Sequence, residues 1–128
     1  MSKRNQRPGR VDARVAKFSD LPQWLQVKIG AQCLAWRAGR LRHCDHDPRP
    51  DGRIPAHMCA WKPDLVTCPR CTHLAVVARS SEAARRCDRC ERITEGTEDD
   101  HVYSAIVHLP GLDYGIAVCL PCRMYQIT

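Results

Sequence analysis

The chain has 128 residues, nine of them cysteine, with 44% apolar residues, only 5% aromatics and a formal charge of +6. No apolar run approaches the ~18 residues a membrane span needs, and no apolar stretch of signal-peptide type follows the basic N-terminus. These figures exclude a membrane protein, argue against a secreted one, and predict a small cytoplasmic protein whose thin core needs additional staples.

Residues 1–17 carry Lys3, Arg4, Arg7, Arg10, Arg14 and Lys17 against Asp12 alone, and the rest of the chain is nearly balanced. Pro8 and Gly9 break any early helix, so residues 1–18 read as a flexible basic arm. Residues 20–38 read as a helix. Asp20 stands as its N-cap, Pro22 lies in the first turn, and Gly39 stops it. Leu21, Trp24, Val27, Ala31, Leu34 and Ala38 recur at helical spacing and are assigned to the core face. Residues 45–56 are rich in Asp, Pro, Arg and Gly and read as a loop. Trp61–Thr67 reads as a short strand and His73–Ala84 as a helix with Leu74, Val77 and Ala78 on one face. Glu95–Asp100 reads as an acidic loop, His101–Leu109 as a strand, Pro110–Gly115 as a turn and Ile116–Val118 as a returning strand.

Six of the nine cysteines form three CxxC pairs: Cys68/Cys71, Cys87/Cys90 and Cys119/Cys122. Cys44 and His46 make a fourth, shorter pair. A repeated CxxC with an odd cysteine total fits a disulfide framework poorly and fits zinc well. Two thiolates on one tight turn can face the same tetrahedral ion, with Zn–S of about 2.3 Å. Four pairs supply eight ligands, enough for two ions. The sequential assignment puts Cys44, His46, Cys68 and Cys71 on one zinc and Cys87, Cys90, Cys119 and Cys122 on the other; a cross-brace is the alternative. Cys59, His43, His57 and His73 compete for the first site. Cys59 reads more simply as a small buried residue beside Trp61, and Cys33 as a core position of the first helix. His101 and His108 read as exposed strand residues.

The expected fold is a small α+β, zinc-stapled one: an N-terminal helix and a treble-clef-like zinc unit over residues 19–84, then a zinc-ribbon-like β-hairpin unit over residues 85–128. The pattern Cys44-x-His46, Ala60-Trp61-Lys62-Pro63, Cys68-Pro-Arg-Cys71 and Cys87-Asp-Arg-Cys90 resembles small double-zinc proteins of actinobacteria and their phages, over about residues 35–122. That resemblance implies a two-zinc fold and no particular activity.

Zinc held by four protein ligands has no open position for water or substrate, so the expected function is not enzymatic. A deaminase would need an acidic partner ahead of its Pro-Cys-x-x-Cys, and the last pair is preceded by no such element. The leading expectation is binding of nucleic acid, DNA above all, in transcription regulation or genome handling. The arm residues Lys3, Arg4, Arg7, Arg10, Arg14 and Lys17 would contact phosphates, with Arg79, Arg85 and Arg86 extending the path. The second expectation is a protein-interaction module that docks on a larger host machine such as RNA polymerase or a defence factor. A continuous positive face favours the first; mixed charge with an exposed apolar patch favours the second.

Overall fold

The computed structural model describes residues 17–127, so the arm expected over 1–18 lies outside the described residues except at its last two positions. The first element is a 3-10 turn, Phe18–Asp20, followed by helix α1, Gln23–Arg37. Asp20 therefore does not cap α1. The residue before a proline is driven to extended backbone, and Leu21 sits at φ −80°, ψ 154°, which separates Asp20 from the helix. Pro22 occupies the N-cap position, and the Gln26 side chain reaches back to donate to the Leu21 carbonyl at 2.8 Å. The C-terminal stop is as expected. Gly39 takes φ +73°, its N–H donates to Trp36 O, and the Arg40 N–H donates to Ala35 O, the paired bonds of a Schellman motif.

The buried face of α1 differs from the expected one. Leu25, Ile29 and Gln32 are buried, with Leu21, Trp24, Cys33 and Trp36 packed beside the core. Val27 and Leu34 are instead 63% and 66% exposed. Both faces of this helix carry apolar residues at helical spacing, so periodicity alone does not choose between them. The larger side chains on the Leu25–Ile29–Trp36 side decide it.

Strand β1, Arg42–His43, pairs in parallel with β3, Leu65–Val66. Strand β2, Ala56–Cys59, pairs in parallel with β5, Leu112–Cys119, which pairs antiparallel with β4, Val102–Leu109. The order β2-β5-β4 thus joins a strand from before residue 84 to a hairpin after it. His57 and Thr67 exchange backbone hydrogen bonds of 2.7 and 2.9 Å and link β2 to the end of β3. The strand expected at Trp61–Thr67 shrinks to β3, because Trp61–Asp64 turns the chain between β2 and β3. The expected turn at Pro110–Gly115 is only Pro110–Gly111, with Gly111 at φ +74°, and Leu112 already pairs with Leu109.

The helix expected over His73–Ala84 does not form. A 3-10 segment, Pro69–Ala75, gives way to extended backbone at Val76, and a single-turn helix α2, Glu82–Arg85, restarts at Ser81. Valines crowd a helical turn, and Ser81 favours capping over continuation: its Oγ accepts the Ala84 N–H at 3.2 Å. The chain closes with α3, Leu120–Ile127, which begins immediately after β5. No helix among the described residues is long and apolar enough to cross a membrane.

One sheet face and α1 enclose the main core: Leu25 and Ile29 pack on Ala56, Met58, Val107, Leu109, Leu112, Tyr114 and Ile116. Gln32 is a buried polar residue with its needs met. Its amide donates to Cys59 O at 3.2 Å, and its oxygen accepts from the hydroxyl of the fully buried Tyr114. A second cluster gathers Cys87, Val118, Cys119 and Cys122, with Trp24 bridging to it from α1.

Candidate metal centres

Two groups of ligands come together, and they are the two sequential ones. Cys44, His46, Cys68 and Cys71 place their ligand atoms within 4.8 Å of one another, as do Cys87, Cys90, Cys119 and Cys122. The competitors stand elsewhere. Cys59 is buried beside Trp61 and Gly115, His43 bonds the Cys44 carbonyl, and His57 faces Asp113. His108, read as an exposed strand residue, is partly buried and bonds Asp113 at 2.8 Å.

The first centre is built from two turns. Cys44 follows β1, and the chain reverses at once, with the Asp47 N–H donating to Cys44 O and Asp47 in the left-handed region at φ 48°. That reversal brings His46 Nδ1 to 3.3 Å from both Cys68 Sγ and Cys71 Sγ. The second turn starts the 3-10 segment, with Pro69 in its first turn and the Cys71 N–H on Cys68 O. The Cys68 N–H points at Cys44 Sγ, 3.4 Å away. Trp61 Nε1 and Lys62 Nζ then tie down the far end of that segment through the carbonyls of Ala75 and Leu74.

The second centre joins a knuckle to a helix start. The Cys90 N–H faces Cys87 Sγ at 3.4 Å, the Cys87 N–H donates to Arg92 O, and Glu91 takes φ 66° to close the turn. Cys119 ends β5 and Cys122 lies in the first turn of α3. The second cluster therefore joins a knuckle, the end of a β-hairpin strand and the start of a helix. The first cluster lacks the helix expected after Cys71, since Pro69–Ala75 is a 3-10 segment.

A buried carboxylate that the sequence reading passed over locks this knuckle to the sheet. Asp88 Oδ2 accepts the Ala117 N–H at 2.7 Å, and the Asp88 N–H donates to Ala117 O at 2.8 Å. Its place between two ligand-bearing positions, Cys87 and Cys90, was the available signal. Burial pushes its carboxyl up to about 6, against the Ala117 N–H, which holds it down.

The thiols show why each cluster suits a cation. In the first, burial works against ionisation of Cys44, but the Cys68 N–H and His46 overcome it and bring the thiol down to about 6. Cys71 is pushed up to about 11 by desolvation and by the sulfurs of Cys68 and Cys44. In the second, Cys87 falls to about 7 despite burial because N–H donors converge on it, while Cys122 is pushed up to about 12 by desolvation and by neighbouring sulfurs. Several thiolates cannot share so small a space unless a positive charge sits among them, and a dication supplies it. Three thiolates and an imidazole, or four thiolates, form the soft tetrahedral donor sets that suit zinc. Four thiolates around a dication leave a net −2, and Arg89 answers part of it by donating to Cys122 Sγ at 3.6 Å.

The cations expected to bind nucleic acid fare differently from one another. Lys3, Arg4, Arg7, Arg10 and Arg14 lie outside the described residues; Lys17 and Arg79 are exposed. Arg85 turns inward, donating to Thr94 O at 2.9 Å with its side chain against Gly96. Arg86 pairs with Glu82 at 3.4 Å. Arg42 with Asp64, Arg49 with Asp47 and Arg92 with Asp100 make further pairs. No family model, no curated protein and no solved structure matches this chain.

Proposed function

We propose that this chain is a non-enzymatic protein built on two structural zinc ions, and that it acts as a protein-interaction module. Cys44, His46, Cys68 and Cys71 would hold one zinc, and Cys87, Cys90, Cys119 and Cys122 the other. Each set is complete with four protein ligands, which leaves zinc a folding role. The observation that carries the interaction reading is the surface. Arg42, Arg49, Arg86 and Arg92 are paired with carboxylates and Arg85 with a carbonyl, while α1 turns Val27 and Leu34 to solvent. A host machine such as RNA polymerase, or a defence factor, is the kind of partner a small rigid plug of this type would serve.

A second reading keeps DNA as the partner, through the six cations of residues 1–17 together with Arg79, and with it a role in transcription regulation. It is favoured by the concentration of nearly all the net charge in the arm. Native mass spectrometry of the purified protein, with and without a random DNA duplex, separates the two. Two zincs and no duplex complex are expected. A salt-sensitive duplex complex that disappears on deletion of residues 1–17 would replace the first reading by the second. One zinc or none would overturn the ligand assignment.

A further inference from the structure

Helix α1 carries its core face and, on the opposite side, a second apolar stripe. Val27, Ala31, Leu34 and Ala38 recur every three or four residues, and all four are exposed. A helix apolar on both sides is one that is covered on both sides. Gly30 lies beside this stripe, in mid-helix. A Cβ there would meet nothing within 4 Å, so the fold has no steric need for glycine at this place. Glycine is among the poorest residues inside a helix, and it permits the close approach of another backbone.

The charge along α1 and the segment after it is one-sided. From Leu21 to Cys44 the sequence has no Asp or Glu, yet it contains Lys28, Arg37, Arg40 and Arg42. Among the described residues, Arg42 pairs with Asp64, and Lys28 lies near enough to Asp88 to favour its ionised form. A second copy of the chain would bring cations against cations here, and nucleic acid gains little from a row of aliphatic side chains. An acidic amphipathic helix satisfies both the stripe and its flanks, in the helix-on-groove mode read by anchors at i, i+4 and i+7.

We propose that the outer face of α1, centred on Val27, Gly30, Ala31 and Leu34, is the docking surface for an acidic amphipathic helix of a partner protein. This rests on the interaction reading above and names its surface and the chemistry of the partner. The partner's apolar residues lie along the stripe, close to the backbone at Gly30, and its carboxylates meet the exposed Arg37.

The test is selection from a displayed library of random 16-residue peptides on the zinc-loaded full chain, with Leu34→Glu, Arg37→Glu and Gly30→Ala as comparison variants. Zinc content and circular dichroism establish first that each variant is folded. The expected peptides carry apolar residues at helical spacing with Asp or Glu between them. They bind Leu34→Glu at least about tenfold more weakly, as loss of one buried leucine implies, and lose affinity in salt and on Arg37→Glu. Gly30→Ala raises the melting temperature yet weakens the peptides, a combination that a purely structural glycine would not give. Peptides indifferent to Leu34→Glu would overturn this surface while leaving the interaction reading in place. Dimers of the chain that Leu34→Glu abolishes would give the face to a second copy instead. No enriched peptide, together with a salt-sensitive duplex complex, would remove the surface and the interaction reading together.

Discussion

Ile29→Ala and Leu34→Ala, compared in one experiment, test which side of α1 belongs to the core. Ile29 is 2% exposed and packs in the cluster formed with Leu25, Met58 and Tyr114; Leu34 is 66% exposed. Truncating a buried isoleucine removes its transfer free energy and leaves a cavity, a cost of about 2–5 kcal/mol. Near full burial with sheet residues on one side and α1 on the other, little of that cavity can close, which places Ile29→Ala in the upper part of the range. Leu34 gives up little buried surface, and alanine is the better helix former, so Leu34→Ala stays within about 0.5 kcal/mol of the parent. Urea unfolding followed by tryptophan fluorescence reads the difference, with free zinc buffered at one concentration because bound metal contributes to apparent stability. The midpoint should fall markedly for Ile29→Ala, hold for Leu34→Ala, and the slope should be unchanged in both. Equal losses in the two variants, or the larger loss at Leu34, would refute the assignment of the faces and the docking surface built on it.

Cys68→Ser and Cys87→Ser should each lose one zinc by native mass spectrometry and give a broad or absent melt, since structural zinc contributes folding energy directly; full zinc with a cooperative melt in either would break that ligand set. Gly115→Ala should destabilise by about 1–3 kcal/mol in urea titration, because its Cβ would lie 2.9 Å from the Trp61 ring, whose indole N–H is held by Ala75 O; a neutral result would mean that Trp61 is free to move. At Gly30, where a Cβ meets nothing, alanine should instead stabilise by up to about 1 kcal/mol. Acidification should release zinc. Without metal, Cys71, Cys90 and Cys122 hold their protons above the ordinary thiol value. Metal binding must expel those protons, so affinity falls as pH falls. Loading zinc in weak buffer should therefore acidify the solution, and a pH that does not move would show that these thiols are not ligands.

The sequence by itself marked the two candidate metal clusters. Spacing of two residues between cysteines is a local geometric constraint, and a turn that presents two sulfurs to one ion does so whatever surrounds it, so the four pairs were legible, while their sequential grouping rather than a cross-brace was decided by the tertiary structure. The glycine stop of α1 was legible too, because a positive φ at Gly39 is a demand on one residue, and so was the β4 strand pattern. What the sequence left open depended on contacts between distant residues. Gly115 reads as a turn residue until Trp61 is seen lying over it. Strand β2 follows directly on the loop read over residues 45–56 and has no sequence signal of its own until β5 supplies its parallel partner, and Asp88 is one more charged residue until Ala117 lies against it. The face of α1 is the clearest case. Two apolar stripes satisfy the same helical period, and only the sheet, assembled from residues 56–119, determines which of them is buried and which is left to solvent.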